Sequence, residues 1–241
     1  MSEAAIEVQN LCKVYGKKHA LKDVNFSIKK GEFAVLIGPN GAGKSTLMRI
    51  LDLLESPTSG KMLFEGEDVF KLPEERKVEV RRRIGVVFQN PAVFNDSVYE
   101  NIAYGLRIRG IRENMEEKVK QTAELVGLSV REHALRLSGG EMQLLALARA
   151  LVVEPEIMLL DEPTSSLDPG NAVIFGRIIK KMNEEGKTIV LSTHDMFQAR
   201  RLAQKIIFML DGEIIEIGDK SIFEEPQDPR TRAFVSGEMS H

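Results

Sequence analysis

Nine consecutive residues, Gly38, Pro39, Asn40, Gly41, Ala42, Gly43, Lys44, Ser45 and Thr46, have the types and spacing that hold a polyphosphate. They fit the pattern G-x-x-x-x-G-K-[ST]. Glycine lets the backbone curl so that successive N–H groups point at one anion. A helix beginning there adds partial positive charge. Lys44 is placed to reach the terminal phosphates, and the Ser45 hydroxyl to bind Mg²⁺. By chance the four fixed positions match roughly once in 25,000 windows, or in about 1% of chains this long, so this segment alone leaves a plain glycine turn open. A second candidate is Ile157-Met158-Leu159-Leu160-Asp161-Glu162, an apolar run ending in two carboxylates. Asp161 has the chemistry to hold Mg²⁺, and Glu162 to polarise an attacking water. A third is Leu137-Ser138-Gly139-Gly140-Glu141-Met142-Gln143, where two glycines precede a helix-prone run whose first amides can receive an anion. Taken alone, it reads equally as an ordinary helix start capped by Ser138.

Positioning these groups needs a scaffold. Apolar Phe33–Ile37 before the glycine loop and helix-prone Thr46–Leu54 after it give strand, loop and helix. Further strands are expected at Ile6–Val14, Val24–Ile28, Lys61–Phe64 and Ile84–Phe88. From Val98 to Val153 the pattern is mostly helical, broken at Gly110, Gly127 and Ser138-Gly139-Gly140, with a helix over roughly Glu141–Val152. Strand and helix then alternate: Ile157–Leu160, Ala172–Glu185, Thr188–Ser192, Asp195–Gln204 and Ile206–Leu210. Alternating βα units with apolar strands predict an α/β protein with a mostly parallel sheet covered on both faces. Residues 91–153, approximately, are expected to form a helical subdomain inserted into that core. In such sheets ligands bind beyond the carboxyl ends of the strands, where both the glycine loop and Asp161–Glu162 fall.

The chain has 241 residues, 43% hydrophobic and 29% charged, with net charge −3. This balance lacks the basic excess of nucleic-acid binders. The single cysteine, Cys12, has no internal partner and is expected to be a small buried residue in a reducing compartment. The start MSEAAIEV lacks a signal-peptide pattern, and no apolar run approaches the ~18–20 residues of a membrane span. The protein is expected to be soluble and to reach a membrane only through a partner.

The order of the three motifs resembles the nucleotide-binding subunits of ATP-binding cassette (ABC) transporters, over about Ile6 to Glu238. The resemblance implies a P-loop ATPase core with an N-terminal antiparallel β subdomain and the helical insertion. It implies a head-to-tail homodimer or heterodimer in which ATP at Lys44 of one subunit is capped by Ser138, Gly139 and Gly140 of the other. Tyr15 matches the aromatic that stacks on adenine. Gln89 matches the glutamine that senses Mg²⁺ and the γ-phosphate. Asp168, in Ser166-Leu167-Asp168, matches the loop crossing the dimer interface, and otherwise reads as a helix cap before Pro169. His194 matches the histidine that contacts the γ-phosphate. The implied catalytic set is Glu162, Lys44, His194 and Gln89, and the Mg²⁺ set Ser45, Gln89 and Asp161. His19, His133 and His241 match nothing and are expected to be solvated. Two departures stand out: Glu141 replaces a usual glutamine, and Leu144 a frequent basic residue.

The resemblance further implies integral membrane permease subunits as partners, an extracytoplasmic solute-binding protein, no nucleic acid, and a peripheral place on the cytoplasmic face of the cell membrane. The tail Ile222–Phe234 is similar to those of prokaryotic importer subunits for oxyanions such as tungstate or phosphate, with polar amino acids as the alternative. No C-terminal regulatory β-domain is expected after it. A non-transport ABC ATPase is the rival from another class. Its coiled-coil relatives fit poorly, because only about 110 residues separate Ser45 from Ile157 and no sustained heptads appear. The guanine-reading N-K-x-D of GTPases is absent. Arg81-Arg82-Arg83 is expected to be a solvated face near a helix end.

Overall fold

Alternation of side chains along single strands decides the layers. In β3 (Phe33–Ile37) every residue is buried. Phe33, Val35 and Ile37 enter one core, Ala34 and Leu36 the other. The same split divides β7 (Ile157–Asp161), with Met158 and Leu160 on one face and Ile157 and Leu159 on the other. Strands buried on both faces must be covered on both sides, and each large apolar side chain so buried contributes about 1.5–3 kcal/mol.

The computed structural model describes residues 4–238, so the readings of the first three residues and of His241 lie outside the described residues. A four-stranded antiparallel sheet is built from β1 (Ala4–Tyr15), β2 (Lys18–Lys29), β4 (Ser59–Phe64) and β5 (Glu67–Asp68), in the order β2-β1-β4-β5. The second sheet adds β6 (Ile84–Val87), β8 (Thr188–Ser192), β9 (Lys205–Leu210) and β10 (Glu213–Gly218), in the order β10-β9-β3-β8-β7-β6. It is parallel except for β10. Helix α1 (Lys44–Leu51) packs with the antiparallel sheet through Leu47, Met48, Ile50 and Leu51. After α2 (Glu74–Arg82), the chain between β6 and β7 forms α3 (Val98–Ile108), α4 (Met115–Leu125) and α5 (Gly139–Leu151). Their apolar faces join the other core with α6 (Pro169–Glu184) and α7 (Met196–Leu202). The last helix, α8 (Pro229–Val235), stacks Phe234 on Phe208 at 4.9 Å.

Because β3, β8 and β7 are parallel neighbours, the segments leaving their C-terminal ends gather at one sheet edge. These segments carry the glycine loop, His194 and Glu162.

Several expectations need correction. Strand β2 begins at Lys18, not Val24, because Tyr15 and Lys18 close a hairpin. Helix α1 starts at Lys44 and ends at Leu51. Strand β10 and helix α8 were not foreseen, and of α2 only its end near Arg81–Arg83 was; α2 buries only Val80 and so leaves no apolar period to read. Cys12 is half-buried rather than buried, its Sγ accepting from the Asp23 amide at 3.3 Å. His19 is exposed, as expected, but His133 is half-buried, and its Nδ1 accepts from the Leu135 amide at 3.4 Å. Arg83 is not part of a solvated face. Its guanidinium lies over Phe64, 4.6 Å from the ring centre, donates to both Glu156 oxygens at 2.8 and 2.5 Å and reaches Glu65 at 2.7 Å. With Lys30 also on Glu65, that carboxyl is held down to about 2, the Arg83 hydrogen bond being the largest cause.

Candidate nucleotide site

The glycine loop is preformed by its neighbours. Gly38 has φ +153°, and a Cβ there would drive into the Met209 carbonyl. Gly43 has φ +104°, and a Cβ would lie 2.8 Å from the Ala20 carbonyl oxygen. Only glycine fits either position. The Gly212 amide donates to the Ala42 carbonyl at 3.0 Å, and the Lys22 amide to the Gly212 carbonyl at 2.8 Å, so the turn between β9 and β10 braces the loop from outside. Gly43 precedes α1 without any side-chain cap. The first-turn amides of that helix therefore face the loop as open donors.

Above them lies a cavity of about 520 Å³, lined by Asn40 to Thr46, Tyr15, Gln89 and Glu162, and also by Lys18, His19, Lys22 and Asp211. Tyr15 stands at its edge, 43% exposed, with the Lys13 ammonium 4.9 Å from the ring centre. The Tyr15 hydroxyl donates to Glu55 Oε2, and Glu55 is also paired with Lys13 and Arg49. The Tyr15 hydrogen bond, above all, holds the Glu55 carboxyl below its ordinary value. Burial first, then the same bond, pushes the Tyr15 hydroxyl up. A half-exposed ring anchored at its polar tip is suited to stack a flat base.

At the floor of the cavity Lys44 is 4% exposed. Its Nζ donates to the Gly38 carbonyl at 2.7 Å and the Pro39 carbonyl at 3.1 Å, and stands 3.4 Å from Glu162 Oε1. The other Glu162 oxygen is 3.0 Å from His194 Nδ1. Glu162 has a left-handed backbone, φ +45°, a conformation that costs a bulky residue and clusters at functional sites. Its amide donates to Ser192 Oγ at 3.0 Å and to the Ser192 carbonyl at 3.1 Å. The Ser192 hydroxyl in turn donates to Asp161 Oδ1 at 2.5 Å. Ser192 thus orients both acids. Glu162 also walls a second hollow of about 370 Å³ with Thr164, Ser165, Thr193, His194 and Asp195. Gln89 Nε2 donates to Ser165 Oγ at 3.3 Å.

The structure thus gathers Tyr15, Gly41 to Thr46, Gln89, Glu162 and His194 around adjoining hollows. It does not bring Ser138, Gly139, Gly140 or Asp168 there; none lines the phosphate-loop cavity. Gly140 and Asp168 meet each other instead. Ser138 caps α5, and Asp168 Oδ1 caps α6 by accepting from Gly170 and Asn171. A Cβ on Gly140 would lie 2.5 Å from Asn171 Nδ2 and 3.2 Å from Asp168 Oδ2, so this glycine lets the two helix starts approach. Glu141 turns back onto Ser138, and Leu144 is buried among apolar side chains.

Sequence reading missed Glu55, Ser192 and Gln143. The last is fully buried on α5 and donates to the Phe88 carbonyl at 2.9 Å, one residue before Gln89. None carries a local signal, because each acts on a residue 30 or more positions away.

A parallel sheet with an uncapped helix start behind a glycine loop, and a cation and a carboxylate facing each other across it, defines a phosphate-loop nucleotide-binding protein. The family model "ABC transporter" matches residues 21–165. The chain is 37% identical to phosphate import ATP-binding protein PstB 2 of Natronomonas pharaonis, over 99% of the chain and 89% of the relative. It is 40% identical to phosphate import ATP-binding protein PstB 1 of Enterococcus faecalis, over 99% of the chain and the whole relative. The dimeric post-hydrolysis ATP-binding cassette MJ0796, bound to ADP and Pi, superposes with a TM-score of 0.82 at 32% identity, covering 89% of this chain and 98% of that one. The chain belongs to the ABC transporter family, whose cassettes bind and hydrolyse ATP. Among the described residues no helix is long and apolar enough to cross a membrane.

Proposed function

We propose that this chain is the ATP-hydrolysing subunit of an importer for an oxyanion, phosphate first, peripheral to the cytoplasmic face of the membrane and coupled to integral permease subunits and a solute-binding protein. The relatives named for phosphate import support the cargo. The observation that carries the ATPase reading is the open first turn of α1 facing a cavity that also holds Lys44 and Glu162. The whole chain acts as one cassette domain, with residues 91–153 as its helical insertion.

In this reading the triphosphate of ATP lies on the amides from Gly41 to Thr46, where preorganised N–H groups and Lys44 stabilise charge that builds in the transition state. Tyr15 stacks the base. The oxygen donors Ser45, Asp161 and Gln89 suit Mg²⁺, which takes one or two carboxylates and fills its shell with phosphates and water. That ion supplies neutralisation of phosphate charge. Ser192, by donating to Asp161 Oδ1, fixes the orientation of this buried carboxylate. Glu162 orients or deprotonates the water, and His194, beside it, contacts the γ-phosphate. Ser138, Gly139, Gly140 and Asp168, remote from the cavity of their own chain, serve the site of a second subunit. A homodimer is proposed, and the dimeric relative supports it. Closure over two nucleotides and opening after hydrolysis would move the permease between two states.

The test is Glu162→Gln. Phosphate release is expected to fall by about 10²–10⁴-fold, the usual contribution of a general base, while ATP now holds the protein as a dimer in size-exclusion chromatography. Wild-type turnover by this variant removes Glu162 from the mechanism. Stimulation of the reconstituted complex by phosphate, set against tungstate and a polar amino acid, tests the cargo.

A further inference from the structure

The serine meant to cap a nucleotide on the second subunit is already engaged within its own chain. Glu141 Oε2 accepts from the Ser138 amide at 2.8 Å and from the Ser138 hydroxyl at 2.7 Å, while the Glu141 amide donates back to Ser138 Oγ at 3.3 Å. This is a capping box in which both Ser138 donors are spent on one carboxylate oxygen. A glutamate in the first turn suits the helix. The same negative charge stands beside the exposed edge where a partner's γ-phosphate has to arrive. The pair of Ser138 hydroxyl and Glu141 carboxylate is charge-assisted, about twice as strong as a neutral one. These bonds hold the Glu141 carboxyl below its ordinary value, so it stays charged at neutral pH.

We infer that Glu141 is a brake on dimer closure: it holds the Ser138 hydroxyl in the separated subunit and repels the incoming phosphate, and closure requires Ser138 to exchange the carboxylate for the nucleotide. This rests on the proposed composite site. It makes Glu141 a positioning residue that acts through Ser138.

The two roles of Glu141 separate in one variant. Glu141→Gln keeps an acceptor for the Ser138 amide and hence the cap, but loses the charge. In the hydrolysis-blocked Glu162→Gln protein, ATP-driven dimerisation followed by analytical ultracentrifugation is expected to tighten about tenfold on adding Glu141→Gln. The thermal unfolding temperature without nucleotide should fall slightly, since glutamine forgoes the charge that favours the helix start; a purely structural capping role would then weaken dimerisation or leave it unchanged, not tighten it. The gap between the two proteins should also shrink as salt rises from 50 to 500 mM, because screening relieves the repulsion (these concentrations span a Debye length of roughly 14 to 4 Å). An unchanged or weaker dimer with glutamine, or a gap indifferent to salt, overturns the brake. A Glu162→Gln parent that stays monomeric with ATP overturns the composite site itself, and the brake with it.

Discussion

Lys44 Nζ lies 3.4 Å from Glu162 Oε1 and at the same time donates to the carbonyls of Gly38 and Pro39. The cation proposed for phosphate and the carboxylate proposed for water thus pair with each other. Both are nearly buried, with side-chain exposures of 4% and 10%, so neither would stand comfortably alone. In the proposed mechanism, phosphate competes with Glu162 for Lys44, so Glu162 would be released when phosphate binds.

Lys44→Ala is therefore expected to do two things. ATP affinity should fall by at least about tenfold, the scale of one lost charge-assisted contact, and Glu162 should lose its counter-charge. Titration with a fluorescent ATP analogue checks the first. Unchanged affinity would take Lys44 out of the phosphate cradle.

Glu55 fixes the Tyr15 ring from a position 40 residues away. Substituting Glu55→Ala should let the ring wander, raising KM for ATP about three- to tenfold with kcat little changed, the pattern of lost uniform binding. Steady-state kinetics decide it; a fall in kcat at constant KM would contradict the stacking role.

Asp52, just after α1, is a buried acid whose carboxyl is pushed up to about 7, chiefly by burial and against the pull of Arg81. The folded state therefore holds its proton more tightly than the unfolded chain does. Stability is fullest below the ordinary aspartate value near 3.8 and declines as pH rises through about 7. Asp52→Asn removes the decline. Between pH 5 and 8 the variant should gain on the order of 2–4 kcal/mol relative to wild type, read from urea unfolding at both pH values. Parallel pH profiles for the two proteins would refute it.

Gln143 ties the signature helix to the strand that leads into Gln89, through its bond to the Phe88 carbonyl. Its own Oε1 has no partner among the described residues. Gln143→Leu fills the same space but strands the carbonyl. A loss of about 1–2 kcal/mol is expected, which for a chain of this size lowers the melting temperature by roughly 2–8 °C. Calorimetry reads this directly.

Local patterns were legible in the sequence and distant ones were not. The glycine loop, the strand ending in Asp161 and Glu162, and the Ser138 helix start each lie within about ten residues, and the sheet and helical insertion follow from period and turn residues. Resemblance alone pointed to Tyr15, Gln89 and His194, since a tyrosine, glutamine or histidine after a strand has no periodicity of its own. The Arg83–Glu156 clamp joins residues 73 positions apart, and the Gln143–Phe88 bond spans 55. No window along the chain contains both partners. Helix α2 was legible only at its end, for another reason: it is held at one buried valine and otherwise by charge.

The turn that carries Gly212 and the strand start at Lys22 already hold the loop in shape before any nucleotide arrives. Little motion is left to freeze on encounter, so capture should run at a pace set by diffusion and charge, with no wait for a rare conformer. In the proposed cycle the slow step would then fall to whole subunits moving against one another, which would set the tempo of transport.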